Sequence, residues 1–123
     1  MRRTMVVAAS IAAVLVSVSA APAVASYGAF ALDESAHKFG YGGNQPDQRH
    51  ADELALKNCK SSNCKVVFPV GPRQCGALAT GDNGTAWGGA AKPTRDAARL
   101  AAMQDCRKHT AGQCTVRASE CNR

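Results

Sequence analysis

The sequence lacks most of what marks an enzyme. It has no G-x-S-x-G turn on which a serine nucleophile could sit. It has no G-x-x-x-x-G-K-[ST] loop, and Gly40-Tyr41-Gly42-Gly43 and Gly88-Gly89 do not sit at a strand-to-helix junction of the kind that cradles phosphate. The three histidines, His37, His50 and His109, fall on different segments, so no pair has ligand spacing on one element. The cysteines are spaced C-x4-C and C-x7-C rather than as C-x-x-C knuckles, which argues against a metal site and against any cofactor that such a site would hold. Carboxylates are few; Asp33 or Glu34 with Asp82 is the one pairing open to glycosidase-type chemistry. Beyond residue 25 no segment is apolar enough to span a bilayer, and the charge balance is only mildly basic, well short of a nucleic-acid-binding composition.

What is present begins with a leader. Met1-Arg2-Arg3 is a short basic start, residues 6–18 are almost wholly apolar, and Ala23-Val24-Ala25 offers small residues in an A-x-A pattern. Residues 1–25 therefore read as a secretory signal peptide. The apolar run is too short and too unlike a stop-transfer segment for a membrane anchor. Cleavage after Ala25 leaves residues 26–123 as one small domain, exported to the periplasm or the exterior, and lowers the formal charge from +6 to +4.

The mature part nearly repeats itself. Tyr27-Gly28-Ala29-Phe30-Ala31 matches Cys75-Gly76-Ala77-Leu78-Ala79, and Phe39-Gly40 matches Trp87-Gly88 at the same offset. Pro46 then meets Pro93, Ala51 meets Ala98, Ala55 meets Ala102 and Cys59 meets Cys106. After an insertion in the second copy, Cys64-Lys65-Val66 meets Cys114-Thr115-Val116. The copies run from about 27 to 70 and from about 75 to 121, each too short to bury a core alone.

Each copy reads as hairpin, helix, strand. Gly81-Asp82-Asn83-Gly84 is a hairpin-turn signal because Asn and Gly tolerate positive φ. Its formal glycosylation sequon, Asn83-Gly84-Thr85, is explained by that turn. Asp47 and Thr94, each after a proline, are N-cap residues for helices over about 48–59 and 95–108. Both helices carry alanine stripes at i, i+3, i+4, which let a helix lie close on a sheet. The expected fold is α+β: two ββαβ-like repeats forming one mainly antiparallel sheet with both helices packed on it. Strand order is not legible. The glycines of the second strands are expected where backbones approach closely.

Six cysteines in a small exported chain point to disulfides, and six allow fifteen pairings. The repeat selects among them. A cysteine ends each helix and another opens the following strand, so equivalence predicts Cys59–Cys64 and Cys106–Cys114, leaving Cys75–Cys121.

The segments YGAFAL, KNCKSSNCKVV and QCGALA, the glycine/tryptophan strand, the Pro-Thr-Arg helix start and the near-terminal cysteine together resemble the bacterial domain of unknown function 4189 family over 27–121. The resemblance implies a small exported protein and supplies no catalytic residues. The ending departs from the family pattern, with Ser119-Glu120 rather than an aromatic before Cys121. The expected function is a non-enzymatic, disulfide-stabilised binding module whose partner is a protein or an anionic envelope surface. The candidate binding residues are Lys92, Arg95 and Arg99, with Arg95 and Arg99 on one helix face, and the aromatics Tyr41 and Trp87 beside their glycines. An inhibitor of an extracytoplasmic hydrolase, acting through the inserted loop 107–113, is the alternative; a small secreted hydrolase is the less favoured one.

Overall fold

The computed structural model describes residues 9–15 and 25–123. The basic start and most of the leader, including Ala23 and Val24, lie outside the described residues. Eight regular elements follow from Tyr27: β1 (Tyr27–Asp33), β2 (Lys38–Gln45), α1 (Gln48–Cys59), β3 (Lys65–Val70), β4 (Cys75–Gly81), β5 (Ala86–Lys92), α2 (Arg95–Arg107) and β6 (Cys114–Cys121). The order ββαβ thus occurs twice, and the α+β class and antiparallel pairing are those expected from the sequence.

The strands do not join one sheet. They form two three-stranded sheets, β2-β1-β3 and β5-β4-β6. The reason is local: in each half the first strand has the second strand on one side and the third on the other. Both its edges are thereby used within its own half, and the apolar faces of the two central strands are buried against each other. The halves meet face to face instead.

Side-chain alternation explains the layering. In β1, Ala29 and Ala31 point to one face and Phe30 and Leu32 to the other. The alanine face packs on Ala51, Ala55 and Cys59 of α1; in the second half Ala77 and Ala79 pack on Ala98, Ala102 and Cys106 of α2. The opposite faces share one core of Phe30, Leu32, Val70 and Leu78, with Phe39, Tyr41, Phe68 and Trp87 around it. The result is helix, sheet, sheet, helix.

The helices lie very close because both sides of the contact are small. A Cβ on Gly40 would run into the backbone of Ala55 and Cys59, and one on Gly88 into that of Ala102 and Cys106. Glycine is required there by the approach of two backbones. Asp47 caps α1 by accepting from His50 N at 2.8 Å, and Thr94 Oγ1 caps α2 by accepting from Ala97 N at 3.2 Å.

Edge strands carry their own protection. Asn58 of α1 donates to Tyr41 O of β2 at 2.7 Å. At the matching place in α2, Asp105 accepts from Gly89 N of β5 at 3.1 Å. The third strands are each irregular, with register shifts opposite Phe30/Ala31 and Leu78/Ala79, and β3 also carries Pro69. The three disulfides are Cys59–Cys64, Cys106–Cys114 and Cys75–Cys121, as the repeat predicts, and no described cysteine is free.

Candidate functional site

The five candidate binding residues do not converge. Tyr41 lies in the shared core, its ring 4.9 Å from that of Phe30, and its hydroxyl donates to Asn122 Oδ1 at 2.6 Å. Burial, reinforced by the nearby Glu120 carboxylate, pushes its phenol up to about 12. Trp87 is half-buried and stacked on Phe68 at 6.4 Å; its exposed part borders a small hollow with Glu34, Thr85, Asp105 and His109. Arg95 donates to the Ser119 carbonyl and, at 3.2 Å, to the Ser119 hydroxyl, so it caps the outer edge of β6. Lys92 and Arg99 are exposed at the end of β5 and on α2, away from the hairpin tips.

The concave surface lies at those tips. Each half has an open cleft between its β1–β2 or β4–β5 turn and the start of its third strand. The first, ≈ 440 Å³, is bounded by Leu32, Asp33, Glu34, Ser35, Asn63, Lys65 and Val67 among others. The second, ≈ 930 Å³, is bounded by Thr80, Gly81, Asp82, Asn83, Gln113, Thr115 and Arg117, with His37 contributed by the first half. These are the same place in the fold. Leu32 is paired with Phe39 and Lys65, and Thr80 with Trp87 and Thr115.

The lining differs position by position. Leu32 becomes Thr80, Lys65 becomes Thr115 and Val67 becomes Arg117. Asp33 becomes Gly81, and that change has the widest effect. Asp33 is only 2 % exposed. Its Oδ1 accepts from Ser35 Oγ at 2.7 Å, Ser35 N at 3.0 Å and Ala36 N at 3.1 Å, and its Oδ2 accepts from Ser61 Oγ. The Ser35 and Ser61 hydroxyls, followed by the backbone donors, lower its carboxyl to about 2. This knot fixes both the first turn and the loop after α1.

No such knot fits the second half. The inserted loop brings Gln113 O to 2.8 Å from where a Cβ on Gly81 would stand. Without an aspartate to bind its amides, the second turn takes a different path: Asp82, Asn83 and Gly84 all have positive φ, at 51°, 56° and 90°. Asp and Asn are among the few side chains that tolerate this. His37, itself at φ 55°, packs against Gly84, so the two turns touch.

The polar groups of the second cleft are left open. Thr80 is 8 % exposed and its hydroxyl makes no hydrogen bond to a described residue. No described buried side-chain polar atom is sealed without a partner, so this hydroxyl faces the cleft. The Arg117 guanidinium lies 5.9 Å from the centroid of the Phe39 ring, and no described carboxylate is within ion-pair distance of it. None of the five candidate binding residues lies here, although Asp82 and Gln113, the latter from the inserted loop, do. The signal was available in the aligned copies, at the positions where they disagree.

No group of three or more metal-ligating side chains occurs among the described residues. His50 Nδ1 is 2.7 Å from Asp47 Oδ1, an imidazole–carboxylate pair at the cap of α1, and its backbone and side-chain hydrogen bonds lower the Asp47 carboxyl. No described hydroxyl or thiol hydrogen-bonds to it. No described helix is long and apolar enough to cross a membrane.

The family model described as domain of unknown function (DUF4189) matches residues 27–121. The chain belongs to that family. No curated protein and no solved structure matches it.

Proposed function

We propose that this member of the domain of unknown function (DUF4189) family is a non-enzymatic, disulfide-stapled binding module that works outside the cytoplasm and holds its partner at the second-half cleft. One observation carries the reading. At a single fold position, the first half fills space with Leu32 and Val67 and buries Asp33 in hydrogen bonds, whereas the second half leaves Thr80, Thr115 and Arg117 around a larger opening. Thr80 opens onto the cleft and Thr115 and Arg117 are exposed there, so their polar groups are available to a partner. The three disulfides support an oxidising compartment, in agreement with the exported character of the sequence.

Two features weigh against the alternatives. A substrate-like inhibitor presents an extended loop, but Arg107 belongs to α2 and Lys108 continues its turn at φ −72°, ψ −18°, with the Lys108 N–H bonded to Asp105 O and the His109 N–H to Cys106 O. A hydrolase needs a nucleophile beside its base, and the Asp47–His50 pair has no hydroxyl or thiol partner among the described residues.

The test uses the mature, oxidised protein and its natural envelope extract. Thr80→Leu with Arg117→Val, each the residue that the first half uses, is expected to abolish partner capture, while Lys92→Ala with Arg99→Ala retains it. Capture unaffected by the first pair, but lost with the second pair or in high salt, would move the site to the basic surface. Turnover of a wall, peptide or ester substrate that disappears in His50→Ala or His109→Ala would overturn the non-enzymatic reading.

A further inference from the structure

Resting on the binding reading above, we infer that the second-half cleft takes a small ligand carrying one carboxylate flanked by hydroxyl or amide groups, the chemistry shared by a peptide C-terminus and an acidic sugar unit. Arg117 provides the charge. Its guanidinium carbon lies over the Phe39 ring, 5.9 Å from the centroid, and no described carboxylate pairs with it, so its N–H donors are available to a planar, two-oxygen acceptor. Thr80 and Thr115 lie opposite one another across β4 and β6, and with Asn83 and Gln113 they supply short donors and acceptors around that position.

The remainder of the lining narrows the class. Asp82 borders the same cleft, so a doubly charged phosphate would meet repulsion that a single carboxylate, balanced by Arg117, meets less. No leucine, isoleucine, valine or phenylalanine lines it, so an apolar ligand gains little there. One carboxylate and one imidazole are too few ligands for a resident metal. The Thr80 hydroxyl has no hydrogen-bond partner among the described residues and opens onto the cleft, so its donor and acceptor are available to an occupant.

Titration of the isotope-labelled, disulfide-intact protein tests this. The probes are N-acetyl-alanyl-alanine and its C-terminal amide, and glucuronate and glucose. Saturable shifts of the Thr80, Thr115 and Arg117 amides are expected with the carboxylate probes, and about tenfold weaker binding or none with the neutral ones. The stronger of the two acids identifies the source. Arg117→Leu is expected to abolish the shifts, and Thr80→Val, which leaves Arg117 over Phe39, to weaken them about tenfold. Equal binding of charged and neutral probes would overturn the carboxylate class but leave the cleft as a site. No response to any probe, while Thr80→Leu with Arg117→Val still abolishes partner capture, would also overturn only the ligand class. No response together with unchanged capture would overturn both.

Discussion

The two halves solve one folding problem in the same way and one surface problem in opposite ways. Alanine stripes, backbone-to-backbone contact at Gly40 and Gly88, and a cysteine pair after each helix are common to both. At the hairpin ends the halves part. The first places a buried aspartate at the end of β1, and the second gives that place to glycine because an inserted loop occupies the space. One half thus fixes its turn with Asp33, while the other, of the same ββαβ order, leaves a cleft at that place. The difference is concentrated in a few positions because the helix-facing and sheet-facing sides have almost no room for change.

A second asymmetry is larger in energy. Cys75 and Cys121 face each other across β4 and β6; the matching places in the first half hold Tyr27 and Gly71. Replacing both cysteines by serine removes a 46-residue closure. The chain-entropy relation puts the loss at about 4 kcal/mol, against about 2–3 kcal/mol for either of the short closures. Chemical unfolding of the three paired-serine variants measures this. A smaller loss for Cys75/Cys121 than for the other two would mean that the β4–β6 pairing is already held by its neighbours.

The first half is closed instead by the chain terminus. Asn122, 6 % exposed, donates to Val70 O at 2.7 Å and Gly71 O at 3.0 Å and accepts from Tyr41 Oη and Asn44 N. Its own N–H bonds to Gln74 O at 2.8 Å. Asn122→Ala leaves two carbonyls and a half-buried phenol without these partners, and is expected to cost about 2–3 kcal/mol. Tyr41→Phe alone is expected to cost about 1 kcal/mol, and much less in the Asn122→Ala background. Additive losses in the double variant would separate the two groups.

Much of the fold was legible because it is set locally. Asp47 and Thr94 mark the helix starts, and the repeat fixes the cysteine pairs, since equivalent residues take equivalent partners. The division into two sheets was not legible. β1 and β4 are buried on both faces, so their pattern of small apolar residues is the same whether they border another half or only their own strands. The function of Arg95 was also hidden, because a solvent-facing arginine and one that caps a strand edge look alike in sequence. Tyr41 was misleading for the converse reason: its partner, Asn122, lies 81 residues away. The cleft was the most accessible of the missed features. Leu32/Thr80, Asp33/Gly81 and Val67/Arg117 stand in register in the repeat, where agreement draws attention away from disagreement.

The smallest expected effect isolates that disagreement by pH. The Asp33 carboxyl is held at about 2 in the folded protein, below the value near 3.9 of an unfolded aspartate. The charged form is therefore favoured by folding. Its stabilising contribution is full above about pH 5, falls as pH drops through the interval between the two values, and is absent once both states are protonated, near pH 1. The second half has glycine at this place and contributes nothing equivalent. Asp33→Asn is expected to flatten the acid limb of the unfolding midpoint between about pH 5 and pH 1, with little change in its shape above that window. Protection of the amide hydrogens of Ser35 and Ala36, which donate to Asp33, should fall relative to their intrinsic exchange over the same interval, while that of the Asp82–Thr85 turn does not follow it. If both turns loosened together as the pH fell, acid would be acting on the shared core between the sheets, and the aspartate-to-glycine exchange would not be what separates the two hairpin ends.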